Sequence, residues 1–158
     1  MAIEWREQLS IDNDVIDADH RHLIDIVNRF EALSENFDDV SQALEILMSL
    51  RLYTKIHFER EEHLQRVSGY RFLDSHRREH ADLIRQLEGV IAKARGCELR
   101  DLPRLSNETA LLLREWLIGH IIKSDLRMKP FVAAMGEAAR GMGRLEKVDT
   151  SAMEVDWS

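Results

Sequence analysis

Histidine and carboxylate side chains recur along this sequence at spacings that direct them toward one interior region. The set comprises His20, His57, Glu61, His76, His80, His120 and Asp125. Imidazole nitrogens and carboxylate oxygens together suit iron. Cys97 is the single cysteine, which argues against a thiolate zinc site or an iron–sulfur cluster. These residue types therefore predict a two-metal site.

Two pairs of these residues are four positions apart, which is close to one turn of an α-helix. His57 and Glu61 form one pair, and His76 and His80 form the other. Because this spacing stacks side chains on one helical face, Glu61 can bridge two metal ions and the histidine pair can bind one ion. His120, on the inward stripe of a later helix, would give that ion its third nitrogen.

His20 should supply a nitrogen from the first helix, whereas the place of Asp125 is harder to derive. Asp125 lies five residues after His120, which at about 100° per residue places it roughly 140° around the helix. We therefore expect Asp125 to approach the metals from a different side than His120. Asp19 and Glu62, although they adjoin candidate ligands, are expected to be surface charges.

Helices must position these side chains, and the sequence favours them over most of its length. Only two prolines and seven glycines interrupt 158 residues, and apolar residues recur every three or four positions. We predict four long helices, over about residues 14–35, 39–67, 72–94 and 101–127. Short connections between them imply an all-α, antiparallel up-down-up-down four-helix bundle.

The bundle should occupy residues 1–129, and a short C-terminal extension should occupy residues 130–158. Pro130 prevents simple continuation of the fourth helix, and residues 131–135 favour one or two further helical turns. Three glycines between residues 136 and 143 weaken anything longer, so a flexible tail should follow.

Composition restricts the partners and the compartment. The formal net charge is −7 and no basic face is evident, which disfavours nucleic acid and anionic lipid as partners. No apolar run is long enough to span a membrane, and the N-terminus lacks the pattern of a signal peptide. We therefore expect one cytoplasmic domain with neither nucleic acid nor membrane as a partner.

Four segments contain the candidate ligands, and their order is more specific than any one of them. They are Ile-Asp-Ala-Asp-His at residues 16–20, His-Phe-Glu-Arg-Glu-Glu at 57–62, His-Arg-Arg-Glu-His at 76–80, and Trp-Leu-Ile-Gly-His at 116–120 followed by Asp125. In these segments the chain resembles the hemerythrin family in its single-domain bacterial form. The resemblance covers about residues 5–128.

The resemblance implies two non-haem iron ions joined by an oxo or hydroxo bridge. The implied ligands are His76, His80 and His120 for one iron, His20 and His57 for the second, and the bridging Glu61 and Asp125 for both. The second iron would keep an open position at which dioxygen binds reversibly. Apolar residues beside the ligands would shield that position from water, namely Phe58, Trp116, Leu117 and Ile121. Such residues at helical spacing are core residues by default, and these four can have both roles.

The resemblance implies an oxygen-binding protein rather than an enzyme, serving oxygen storage, delivery or sensing. An oxygenase or a signalling protein could then be a partner, reached through the C-terminal extension. We expect the segment after Pro130 to be dispensable for oxygen binding itself.

Other functions remain open on the same bundle. A di-iron oxidase or peroxidase-type enzyme, or an iron-storage protein, would need similar ligands, but the chain lacks the repeated Glu-x-x-His pairs typical of di-iron oxidases. Residues 76–80 also satisfy the H-x-x-E-H pattern of inverted zinc peptidases, with Glu79 as the base. That interpretation leaves the remaining candidate ligands unexplained.

Overall fold

A computed structural model describes residues 2–135 of the chain, and all of its regular structure is helical over that range. The α-helices are α1 (Asp14–Leu33), α2 (Val40–Ser68), α3 (Leu73–Arg95), α4 (Leu102–Lys123) and α5 (Lys129–Ala134). Short 3-10 helices lie at Glu7–Leu9, Leu99–Asp101 and Asp125–Met128. The predicted all-α class is confirmed.

The four long helices pack against one another in a bundle. The contacting pairs are α1 with α2, α2 with α3, α3 with α4, and α1 with α4. Because the connections between consecutive helices are short, neighbouring helices run antiparallel, as predicted. No helix within residues 2–135 is both long enough and apolar enough to cross a membrane.

The helix ends follow from local chemistry. The Asn13 side chain accepts a hydrogen bond from the Ile16 amide and caps α1, and Asp39 caps α2 in the same way. Gly69 ends α2 in the left-handed conformation, with φ +66°, which a glycine adopts without steric cost. The chain can therefore turn sharply into α3.

The fourth helix is shorter than predicted. It ends at Lys123, Ser124 leaves the helical conformation with φ −121° and ψ −53°, and a 3-10 turn begins at Asp125. Pro130 then lies in the first turn of α5, where its missing amide hydrogen has no consequence. This break changes the direction in which Asp125 projects.

The core consists of one large apolar cluster between the four long helices and a smaller one beneath α5. The smaller cluster comprises Ile11, Ile16, Leu64, Tyr70, Met128 and Val132. Val132 is only 1% exposed, so the start of the predicted extension packs against the bundle. The tail predicted after residue 135 lies outside the described residues.

Candidate metal centre

All seven predicted ligand side chains come together in the middle of the bundle. His20 comes from α1, the pair His57 and Glu61 from α2, the pair His76 and His80 from α3, His120 from α4, and Asp125 from the 3-10 turn. None of the seven is more than 7% exposed. Each long helix therefore contributes at least one imidazole.

The cluster divides into two overlapping groups that could each hold a metal ion. One comprises Glu61, His76, His80, His120 and Asp125, and the other comprises His20, His57, Glu61 and Asp125. Within each group the candidate ligand atoms lie within 4.8 Å of one another. The two carboxylates belong to both groups, which is the arrangement of two adjacent metal sites with shared bridges.

Glu61 presents one carboxylate oxygen to each group. Its Oε1 lies 2.6 Å from His76 Nε2 and 3.2 Å from His80 Nε2. Its Oε2 lies 3.1 Å from His57 Nε2 and 3.6 Å from His20 Nε2. A carboxylate oriented in this way can bridge two ions.

Asp125 divides its oxygens between the groups in the same manner. Its Oδ1 lies 2.9 Å from His120 Nε2 and 3.1 Å from His76 Nε2, while Oδ2 lies 3.0 Å from His20 Nε2. On a continuous α4 this side chain would project away from His120. The 3-10 turn returns it to the centre, which resolves the difficulty that the helical spacing posed.

Several buried atoms of the cluster lie close together without forming hydrogen bonds. His20 Nε2, His120 Nε2, Glu61 Oε2 and both carboxylate oxygens of Asp125 have no hydrogen-bond partner among residues 2–135. Buried polar atoms left in this state are costly, and metal ions among these nitrogen and oxygen donors would satisfy them. The donor set therefore fits a pair of iron ions.

Electrostatics in the cluster favour positive charge. Burial by itself would raise the pKa of Glu61, but the surrounding imidazoles hold it well below its usual range. Burial would lower the pKa of His20 and of His76, but the negative charges of the neighbouring Asp125 and Glu61 carboxylates raise each to about 9. The two buried carboxylates thus create a site that attracts cations.

Three imidazoles are held from behind by a further carboxylate. The Nδ1 atoms of His57, His80 and His120 lie 3.0, 3.1 and 3.0 Å from oxygens of Asp19, Glu62 and Glu79, respectively. Because an ionised carboxylate only accepts hydrogen bonds, each Nδ1 must donate and each Nε2 presents its lone pair to the centre. This is the tautomer that binding a metal through Nε2 requires.

The prediction that Asp19 and Glu62 are surface charges is wrong. Asp19 is 2% exposed and also accepts a hydrogen bond from the Tyr53 hydroxyl, and the Glu62 side chain is 17% exposed. Asp19 and Glu62 lie beside the inward-facing stripe of their helices, on the surface that packs against the next helix. The sequence signal that could have found them is their position, since each directly adjoins a candidate ligand.

The hydrogen bonds of Glu79 argue against the zinc peptidase interpretation. It accepts hydrogen bonds from His120 Nδ1 and from the Ser124 hydroxyl. The hydrogen bond from His120 lowers the pKa of Glu79 to about 2. A carboxylate engaged in this way orients His120 and is poorly suited to act as a general base.

A small cavity lies against the cluster, where it is bordered by His20, His57, His120 and Asp125. Its volume is about 10 Å³, which corresponds to about one water-sized molecule. All four predicted pocket residues, Phe58, Trp116, Leu117 and Ile121, line it, together with Leu23, Thr54 and Leu83. Trp116 Nε1 donates a hydrogen bond to the Leu83 carbonyl, so the indole N–H is not available to a ligand in the cavity.

Comparison with known proteins gives consistent matches. The family model for the hemerythrin HHE cation binding domain matches residues 12–132. A bacteriohemerythrin from Clostridium acetobutylicum is 28% identical over 124 residues, covering 77% of this chain and 94% of that protein. A myohemerythrin from Theromyzon tessulatum is 28% identical over 128 residues, covering 80% of this chain and 90% of that protein.

A solved structure supports the architecture. The crystal structure of a wild-type hemerythrin superposes with a TM-score of 0.72 at 23% identity, covering 84% of this chain and 99% of that one. At this level of identity the likeness concerns the fold.

Proposed function

Because the chain belongs to the hemerythrin family, we propose that it binds dioxygen reversibly at a pair of non-haem iron ions. The observation that supports this most directly is the position of Glu61 and Asp125. Each of these carboxylates directs one oxygen toward one group of imidazoles and its other oxygen toward the second group. Two bridging carboxylates and five imidazoles suit a pair of irons, and the ferrous pair would supply the electrons for oxygen uptake.

The ligand assignment follows the two groups. We assign His76, His80 and His120 to one iron, His20 and His57 to the second, and Glu61 and Asp125 to both. With fewer imidazoles the second iron would have room for an external ligand, and the cavity borders both of its histidines but only His120 of the other three. The oxygen position is therefore proposed on the side of His20 and His57.

Binding is favoured over catalysis by the shape of the cavity. A volume of about 10 Å³ accommodates a very small molecule and leaves no room beside it for an organic substrate. Its lining side chains other than the clustered ligands are apolar apart from Thr54 and the engaged indole of Trp116. Such a lining excludes water, and this would slow irreversible oxidation of the irons.

The C-terminal extension is proposed as the route from the site to a partner. Asp125 begins the 3-10 turn, and α5 follows it directly and packs against Tyr70 through Phe131. A displacement of Asp125 on oxygenation would therefore reach α5 through one short turn. This connection suits delivery to an oxygenase or sensing through a signalling protein, and storage would not need it.

An optical titration tests the proposed function. Protein reconstituted anaerobically with ferrous iron should contain two irons per chain and should develop a visible charge-transfer band on exposure to oxygen. The band should disappear when oxygen is removed and return when it is restored. A single zinc per chain, or a sample that stays colourless in oxygen, would contradict the proposal.

A further inference from the structure

Thr54 places a hydroxyl group in the interior without a hydrogen-bond partner. The residue lies in the middle of α2 and is 0% exposed. Its Oγ1 has no partner within the described part of the chain, not even a backbone carbonyl of the preceding helical turn. A buried hydroxyl in this state destabilises the fold, so its presence calls for a physical reason.

The cavity beside the cluster supplies that reason. Thr54 lines it, one helical turn before His57 and Phe58. The imidazoles and Asp125 in the lining belong to the ligand cluster, and Trp116 Nε1 donates to the Leu83 carbonyl. Among the lining side chains outside the cluster, Thr54 has the one uncommitted donor.

We propose that the Thr54 hydroxyl donates a hydrogen bond to a small anionic ligand held in this cavity. The inference rests on the proposed di-iron site. A ligand bound to a metal through one atom concentrates negative charge on its outer atom, and a hydroxyl in an apolar surrounding stabilises that charge strongly. The same hydroxyl contributes little to a neutral ligand.

Replacing Thr54 by valine removes the hydroxyl and keeps the branched shape. In the diferric protein, T54V should bind azide at least tenfold more weakly than the wild type, since hydrogen bonds to charged groups are the strong ones. T54S, which keeps the hydroxyl, should stay within about threefold of the wild type. Iron content should be the same in all three proteins, so that a change in azide affinity reports the hydroxyl. The affinities follow from optical titration.

The metal-free protein offers a second, independent measurement. Because T54V removes an unpartnered buried hydroxyl, it should raise the midpoint of thermal unfolding of the metal-free chain. T109V is the matched control, since Thr109 is also a buried helical threonine, 7% exposed, that does not line the cavity. T109V should leave azide affinity unchanged.

The outcomes separate this inference from the proposed function. If T54V binds azide as tightly as the wild type, or if T54S loses as much affinity as T54V, the role of the hydroxyl is overturned while the iron site stands. If the wild type takes up no iron, the proposed function itself fails. Iron content, measured on every variant, distinguishes the two results.

Discussion

Asp19 controls the orientation of His57 through two further contacts of its own. Its carboxylate accepts hydrogen bonds from His57 Nδ1 and from the Tyr53 hydroxyl, and Arg60 Nε lies 3.3 Å away. Burial alone would raise the pKa of Asp19, but the hydrogen bonds from His57 and Tyr53 and the positive charge of Arg60 lower it. The carboxylate is therefore ionised, and the His57 ring cannot turn its Nε2 away from Glu61 without losing a charged acceptor.

Asp19→Asn should weaken the retention of iron. The amide oxygen can still accept the hydrogen bond from the Tyr53 hydroxyl, but the negative charge behind His57 is lost. We expect a loss of metal affinity of roughly 10–100-fold, measured by competition with a ferrous chelator. Asp25→Asn, at an exposed position of the same helix, is the control. Equal retention in both variants would show that His57 needs no charged support.

Leu117→Ala should speed oxidation without releasing iron. Leu117 lines the cavity and is 4% exposed, so its truncation admits water to the oxygen position. Leu113→Ala is the matched control, because Leu113 is fully buried on the same helix and does not line the cavity. Both variants should lose about 2–5 kcal/mol of stability, but only Leu117→Ala should shorten the lifetime of the oxygenated band. Equal lifetimes would remove Leu117 from the pocket.

At the scale of the elements, each of the first three long helices supports an imidazole of the next helix in the chain. The pairs are Asp19 with His57, Glu62 with His80, and Glu79 with His120. Every pair joins two neighbouring helices across their interface. The hydrogen bonds thus fix the register of the helices at the level where the metals are proposed to bind.

Two glycines should respond to alanine with opposite signs. Gly69→Ala places a Cβ at φ +66°, so the variant should lose about 1 kcal/mol of stability. Gly89 lies exposed within α3, and an added Cβ there meets no atom within 4 Å. Gly89→Ala should therefore gain about 1 kcal/mol. Urea unfolding measures both, and a loss in both variants would contradict the helical environment of Gly89.

The elements and the convergence of the ligands could be predicted from the sequence, because periodicity identifies the face of a helix that turns inward. His57 and Glu61 share that face on α2, and the structure brings them together as their spacing requires. Periodicity does not identify which helix lies beside which, so it does not predict that Asp19 is buried at the interface between two helices. It also assumes an unbroken helix, and the break at Ser124 is what brings Asp125 to the centre.

At the scale of the whole molecule, a bundle with seven buried polar side chains at its centre should depend on metal for stability. Ferrous iron at 1,000 times its dissociation constant should stabilise the native state by about 4 kcal/mol. Thermal unfolding under anaerobic conditions, with and without iron, measures the effect. Glu61→Ala removes a carboxylate shared by both groups and should abolish this stabilisation by iron. An equal gain in that variant would place the metal elsewhere.

The extension should be dispensable only from residue 136 onward. A chain ending at Met135 keeps α5, whereas a chain ending at Lys129 loses Val132, which is 1% exposed, and the contact between Phe131 and Tyr70. We expect the longer truncation product to match the full chain in oxygen affinity and unfolding midpoint. The shorter one should unfold at a lower temperature. Identical behaviour of the two would mean that α5 contributes nothing to the bundle.

The 3-10 turn that positions Asp125 also determines when a newly made chain can acquire its metals. Asp125 is the last of the seven side chains to leave the ribosome, and it contacts His20, the first. The proposed di-iron site therefore cannot be completed until residue 125 has been made, and a product that ends before this turn keeps unsatisfied polar groups in its interior. Such a product should bind iron incompletely and unfold more readily, which makes it a better substrate for proteases.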